Sequence, residues 1–168
     1  MAKEILLISH NLNIEGAPLS LFFIGEILKK LDFKVEVLSL IDGVLRDKYL
    51  DLEIPVYIID KDKINFKKYD LIIANTIVTY KYVNKLKYEI PTIWFIRESN
   101  NIQDYYNKYP ELKNSIKRMP YIYCVSEMAK EFIDKEFSHN VKVLHNFCKD
   151  DFDEISKDTN LNDKKSFT

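Results

Sequence analysis

Short apolar segments alternate along this chain with longer stretches whose apolar residues recur at helical spacing. The first segment, residues 5–8, reads Ile-Leu-Leu-Ile without polar alternation, which is typical of a strand covered by helices on both faces. Strands that alternate with helices form parallel sheets, and the connections between them are almost always right-handed. The sequence therefore predicts an α/β fold with a doubly wound, mainly parallel, Rossmann-like sheet.

The remaining elements follow from the same two periodicities. The first helix is predicted to bury an apolar face made of Leu19, Phe22, Phe23, Ile27, Leu28 and Leu31. Further helices are predicted at residues 44–52, 78–88, 102–109, 111–117 and 127–137. Further strands are predicted at residues 34–40, 56–59, 70–74, 91–96, 121–125 and 141–144. The chain becomes polar after this point, so we expect one domain over residues 1–148 and a linker or tail over residues 149–168 that leads toward an absent second domain.

Composition excludes several other classes of protein. The net charge of −1 over 168 residues offers no excess of Lys and Arg for binding nucleic acid. No apolar run approaches the ~20 residues that span a bilayer, and the start of the chain is too short for a signal peptide, so we expect a cytoplasmic protein. Cys124 is expected to be a reduced core residue, and the cysteines and histidines lack the spacing of a metal site.

A glycine turn joins the first strand to the first helix. Gly16 tolerates backbone angles that other residues avoid, and it has no side chain to keep a ligand away from the main chain. Pro18 suits the first turn of a helix. The free N–H groups of a helix start, together with the positive end of the helix dipole, favour a phosphate or another anion. The alternative is a plain strand-to-helix turn that uses a convenient glycine.

Polar residues follow several predicted strands at the carboxyl edge, where parallel sheets bind their ligands. The dinucleotide fingerprint G-x-G-x-x-G and a P-loop lysine are missing, which disfavours an NAD enzyme and a P-loop ATPase. Arg97 can pair with a phosphate and Glu98 can orient sugar hydroxyls; the alternative is a mutual ion pair or a helix cap. Ser126 is well placed to cap the last helix. The other candidates at this edge are His10, Asn11, Glu15, Asp42, Asn75, Thr76 and Asn146.

Together these segments resemble the N-terminal half of the retaining GT-B glycosyltransferases of family four. The glycine loop is the most specific part of the resemblance, which extends to about Phe147. Two departures are visible, since family members often carry His where this chain has Arg97 and Gly where it has Phe147. The matching segments are Ser9-His10, Gly16-Ala17-Pro18-Leu19-Ser20-Leu21, residues 39–43 with Leu45-Arg46, Trp94-Phe95-Ile96-Arg97-Glu98-Ser99, Val125-Ser126-Glu127 and Val143-Leu144-His145-Asn146.

The resemblance implies one half of a GT-B architecture, in which two Rossmann-like domains face each other across a cleft. The N-terminal domain mainly holds the acceptor, and the C-terminal domain holds most of the nucleotide-sugar donor. On this basis Gly16 and Ala17 approach the donor diphosphate, whereas Arg97 and Glu98 lie beside the transferred sugar as the catalytic candidates. The remaining strand-end candidates line the acceptor side of the cleft.

The resemblance also implies an activity. The complete protein is expected to transfer a sugar with retention from a nucleotide-sugar to a saccharide or lipid-linked acceptor, in cell-surface polysaccharide synthesis. We expect no metal and no cofactor, a C-terminal domain as partner, and peripheral contact with the inner face of the membrane. The 168-residue chain alone is expected to be inactive. Two alternatives remain: a non-catalytic Rossmann-like domain that binds a sugar, nucleotide or protein, and part of a sugar-nucleotide epimerase.

Overall fold

A single seven-stranded sheet forms the centre of the domain. The computed structural model describes residues 2–86, 89–98, 102–137 and 141–146. The strands are β1 (Glu4–Ser9), β2 (Lys34–Ser39), β3 (Val56–Ile58), β4 (Leu71–Asn75), β5 (Thr92–Ile96), β6 (Ile122–Cys124) and β7 (Lys142–Val143). Their order is β3-β2-β1-β4-β5-β6-β7, and every neighbouring pair is parallel. This is the strand order of a Rossmann-like sheet, so the predicted fold class is confirmed.

Helices cover both faces of this sheet. They are α1 (Gly16–Lys30), α2 (Leu45–Asp51), α3 (Tyr80–Lys85), α4 (Ile102–Lys108), α5 (Glu111–Arg118) and α6 (Glu127–Phe137). Residues of β1 alternate between two separate cores, with Leu6 and Ile8 in one and Ile5 and Leu7 in the other. Because each face is buried, β1 is apolar at every central position, which explains why its sequence shows no polar alternation.

The strand predictions agree with the structure to within one residue at each end, but one helix prediction is wrong in part. In place of a helix from residue 78, the chain forms a 3₁₀ turn at Ile77–Thr79 and then the short α3. Thr76, the residue before this turn, has a φ of 70° and thus does not continue the extended backbone of β4. The predicted helix end at residues 87–88 and the predicted tail at residues 149–168 lie outside the described residues.

The predicted buried face of α1 is wrong in part. Leu19, Phe22 and Leu28 pack against the core as predicted. Ile27 and Leu31 are exposed, whereas Leu21 and Gly25, which the prediction did not include, are buried. Apolar residues occur on several sides of α1, so spacing alone does not select the inner face. Gly25 selects it, because a Cβ at this position would lie 3.1 Å from Leu7 Cδ1. The missing side chain lets the helix approach β1 closely.

Tyr49 provides a test of the core beneath α1. Its ring is fully buried and meets Phe22 edge-on at 5.0 Å between centroids, yet no hydroxyl partner exists among the described residues. Burial raises the pKa of this hydroxyl. Tyr49→Phe removes an unsatisfied polar atom and should raise the free energy of unfolding by about 1 kcal/mol, measured by denaturant titration.

The matched control for this prediction is Tyr80→Phe. The Tyr80 hydroxyl donates to Glu111 Oε1 at 2.7 Å, so its removal deletes a hydrogen bond and should leave the free energy of unfolding unchanged or lower. Equal destabilisation by both substitutions would contradict the assignment of Tyr49 as unsatisfied.

Three further observations bear on predictions from composition. Cys124 is buried and reduced, as predicted, and burial raises the pKa of its thiol to about 12. Within the described ranges, no helix has the length and apolar character needed to cross a bilayer. The same part of the chain contains no group of three or more His, Cys, Asp or Glu side chains arranged to hold a metal ion.

Candidate functional site

The amino-terminal end of α1 lies open at the carboxyl edge of the sheet. Gly16 is its first residue, and a Cβ added there would meet none of the described residues within 4 Å. Gly16 does not need its conformational freedom, because no described glycine has a positive φ. The preceding Glu15 directs its carboxylate to Asn11 and Asn13 instead of to the helix. The N–H groups of Gly16 and Ala17 are therefore available to an approaching anion.

A hydrogen-bonded network joins this helix end to the ends of β4 and β5. Asn75 is fully buried, and its Nδ2 donates to the Ala17 carbonyl at 2.9 Å while its Oδ1 accepts from Arg97 Nε. Arg97 also donates through a terminal guanidinium nitrogen to Asn146 Oδ1, which accepts from Ser20 Oγ at 3.3 Å. The network brings together four residues predicted from sequence and fixes the guanidinium beside the first turn of α1.

The charge of Arg97 is not cancelled by its hydrogen-bond partners. Both partners are neutral amide oxygens, and the guanidinium lies 5.5 Å from the centre of the Phe95 ring. Burial lowers the pKa of Arg97 to about 10, and Glu98 partly offsets this effect. The side chain therefore stays protonated near pH 7. A fixed positive charge and free helix N–H groups together form a site that favours an anion such as a phosphate.

Glu98 interacts mainly with the main chain. Its Oε2 accepts from the Ile77 N–H at 3.0 Å and from the Arg97 N–H at 3.0 Å. Burial raises the pKa of this carboxyl, whereas these amides lower it. Of the interpretations left open by the sequence, the geometry corresponds to a cap on the 3₁₀ turn after β4.

Thr76, between Asn75 and that turn, has a strained backbone. Its φ of 70° and ψ of 157° fall in a region that is almost restricted to glycine. The Thr76 carbonyl accepts from Trp94 Nε1 at 2.9 Å and from Thr79 Oγ1 at 2.8 Å. Its hydroxyl is buried without a partner among the described residues. Strain combined with an unsatisfied polar atom is common at ligand-binding sites.

The loop between β1 and α1 forms a second group of polar side chains. His10 Nε2 lies 3.8 Å from Glu15 Oε2, and Asn11 Nδ2 donates to the same oxygen at 3.2 Å. Burial lowers the pKa of His10, an effect that the nearby Glu15 carboxylate partly opposes. These side chains thus stabilise the loop through one another and border the open start of α1.

Two predicted site residues have local structural partners. Asp42 accepts from the Gly43 N–H at 2.9 Å and pairs with Arg46 at 2.6 Å, so it shapes the turn after β2. Ser126 Oγ accepts from the Ala129 N–H at 3.3 Å, which confirms its predicted role as the N-cap of α6. The structure places neither side chain in the network around Arg97.

Sequence reasoning missed two members of the site. Ser20 lies one helical turn after Gly16, so the predicted helix could have indicated that both lie on one side of α1. Trp94 contributes through its indole N–H. No sequence pattern indicates that the side chain of one strand will hydrogen-bond to the main chain at the end of the neighbouring strand. Both contacts depend on how distant segments meet.

The strand order defines a Rossmann-like domain, a fold that binds its ligands at the carboxyl edge of the sheet. Comparison with protein-family models then makes the assignment specific. The model for glycosyl-transferase family 4 matches residues 1–150, so this chain belongs to that family. The resemblance inferred from the sequence is confirmed. A comparison with curated protein sequences finds no significant match.

Solved glycosyltransferases share the fold. The Anabaena protein Alr3699/HepE, in complex with UDP and glucose, superposes with a TM-score of 0.67 at 16% identity over 91% of this chain and 49% of its own. A glycosyltransferase from Rickettsia africae gives a TM-score of 0.62 at 12% identity over 95% of this chain and 47% of its own. The chain thus spans about half the length of these structures.

Proposed function

We propose that this chain is the acceptor-side domain of a retaining glycosyltransferase that uses a nucleotide-sugar donor. The observation that carries the proposal is the open amino-terminal end of α1, with Arg97 held beside it by neutral amide oxygens. The acceptor would be a saccharide or a lipid-linked saccharide, in cell-surface polysaccharide synthesis. Membership of family 4 supports the reaction class.

The chemistry of the site fits departure of a nucleoside diphosphate. Negative charge grows on the diphosphate as the bond to the sugar breaks, and fixed donors aimed at that charge lower the barrier. The Gly16 and Ala17 N–H groups and the Arg97 guanidinium would be such donors. We propose no metal or other cofactor, since these groups would themselves stabilise the charge of the diphosphate. The complex of HepE with UDP-glucose supports a donor of this kind.

A second domain is proposed to complete the site. Closing two domains over a donor excludes water from the transfer step. In this arrangement the C-terminal domain would hold the base and ribose, and the loop carrying His10, Asn11 and Glu15 would face the acceptor. We propose Asn75 and Thr76 as the floor of the cleft. A cytoplasmic location with peripheral contact at the inner face of the membrane would bring a lipid-linked acceptor within reach.

Calorimetry against UDP-glucose and a panel of other nucleotide-sugars tests the two-domain proposal. The 168-residue chain should bind no donor more tightly than about millimolar and should form no product. The complete protein should bind one donor far more tightly and transfer its sugar with retained anomeric configuration, which NMR of the product reports.

Two results would contradict this proposal. Micromolar affinity or product formation by the isolated chain would show that one domain suffices. Donor binding by the complete protein without transfer to any acceptor would favour the alternative, a non-catalytic domain that binds sugar nucleotides.

A further inference from the structure

Glu98 is hydrogen-bonded to the main chain directly after Thr76, which has a strained backbone. Both main-chain N–H groups that Glu98 Oε2 accepts from belong to the edge of the site, one after Thr76 and one at Arg97. We propose that Glu98 is a positioning residue: it holds the strained turn at Thr76, and through this turn it aims Asn75 and Arg97 at the ligand. The identity of the ligand in this inference rests on the proposed function, whereas the hydrogen-bond geometry does not.

The strain at Thr76 needs an external restraint. Backbone angles of φ 70° and ψ 157° are strained for a β-branched residue. Proteins keep such angles only where the surrounding structure imposes them. Here the surroundings act on both sides of the Thr76–Ile77 peptide. Trp94 and Thr79 hold its carbonyl, and Glu98 holds its N–H. Without the Glu98 bond, Thr76 can relax toward ordinary backbone angles.

Relaxation of Thr76 would disturb the network directly. Asn75, the preceding residue, carries both the bond to the Ala17 carbonyl and the bond to Arg97 Nε. Glu98 also accepts from the Arg97 N–H, so it fixes the main chain on which the guanidinium is carried. A single carboxylate oxygen thus sets the positions of the two side chains that define the anion site.

The same contacts occupy one oxygen of the carboxylate. Oε2 accepts from two N–H groups at 3.0 Å. A glutamine at this position keeps a carbonyl oxygen that can accept from both amides. The positioning role therefore needs an oxygen acceptor and not a negative charge.

Three variants, each made in the complete protein, separate a positioning role from a carboxylate that takes part in the reaction. They are Glu98→Gln, Glu98→Ala and the double variant Thr76→Gly/Glu98→Ala. Glu98→Gln should keep turnover within about threefold of the parent with an unchanged pH profile. Glu98→Ala should lose about 10²-fold. The double variant should recover at least tenfold of that loss, because glycine adopts the angles of residue 76 without restraint. Amide hydrogen exchange at Ile77 should be slow in the Glu98→Gln protein and at least tenfold faster in the Glu98→Ala protein.

The outcomes are distinguishable. A Glu98→Gln variant as slow as Glu98→Ala, with the Ile77 amide still protected, would mean that the negative charge takes part in the reaction and would overturn the proposal. If the parent transfers no sugar, the proposed function fails and hydrogen exchange decides alone. Loss of Ile77 protection only in the alanine variant would then support the positioning role, and equal protection in all proteins would overturn it.

Discussion

Replacing Gly16 by valine should slow sugar transfer by the complete protein by at least about 10²-fold while leaving its stability almost unchanged. The space above Gly16 is where the diphosphate would contact the helix N–H groups, and valine would fill it. The fold should tolerate the change, because φ is not positive and no described atom lies within 4 Å of the new Cβ. Steady-state kinetics and denaturant titration measure the two quantities.

Gly25→Val is the matched control in the same helix. Its Cβ would lie 3.1 Å from Leu7 Cδ1 and 3.3 Å from Tyr49 Cε1, so this substitution should lower the free energy of unfolding by about 1–3 kcal/mol. Turnover by the folded protein should stay near the parent value, since Gly25 faces the core. If the Gly16→Val variant turned over at the parent rate, Gly16 would be an ordinary turn residue.

Replacing Arg97 by alanine should lower the rate of sugar transfer about 10²–10³-fold. The substitution removes the charge beside α1 and also leaves the buried Asn75 Oδ1 without its donor, which should cost about 1–3 kcal/mol of stability. Arg97→Lys should fall between parent and alanine, because an ammonium keeps the charge but cannot reproduce the planar fork that reaches Asn75 and Asn146 together. Kinetics and donor calorimetry provide the measurements.

The control for Arg97 is Arg118→Ala. Arg118 is exposed at the end of α5, away from the network, so this change should alter neither donor affinity nor turnover. An Arg97→Ala protein that bound the donor as tightly as the parent would rule out contact between this guanidinium and the diphosphate.

Much of the fold could be predicted because the sheet is buried on both faces. This condition makes each central strand visible as a short apolar run, as at residues 5–8, and the parallel order then places all strand ends at one edge. Candidates such as Asn75 and Arg97 follow from that geometry without knowledge of side-chain contacts. The network they form confirms that these strand-end residues meet.

Other features depend on contacts between distant segments. The inner face of α1 is fixed by the fit of Gly25 against Leu7, and apolar periodicity along α1 does not contain that information. The strain at Thr76 is likewise invisible in sequence, since threonine is ordinarily a residue of extended backbone. The peptide after Thr76 is bonded to Trp94 and Glu98, which lie about 20 residues further along the chain.

Trp94 is the single tryptophan of the chain, and its indole N–H is bonded to the Thr76 carbonyl. The wavelength and intensity of indole fluorescence depend on the polarity and hydrogen bonding around the ring. The domain therefore carries one indole reporter, placed directly beside the strained turn of the candidate site. A ligand that moves this turn would change the emission of an unlabelled protein, with no other tryptophan to obscure the signal.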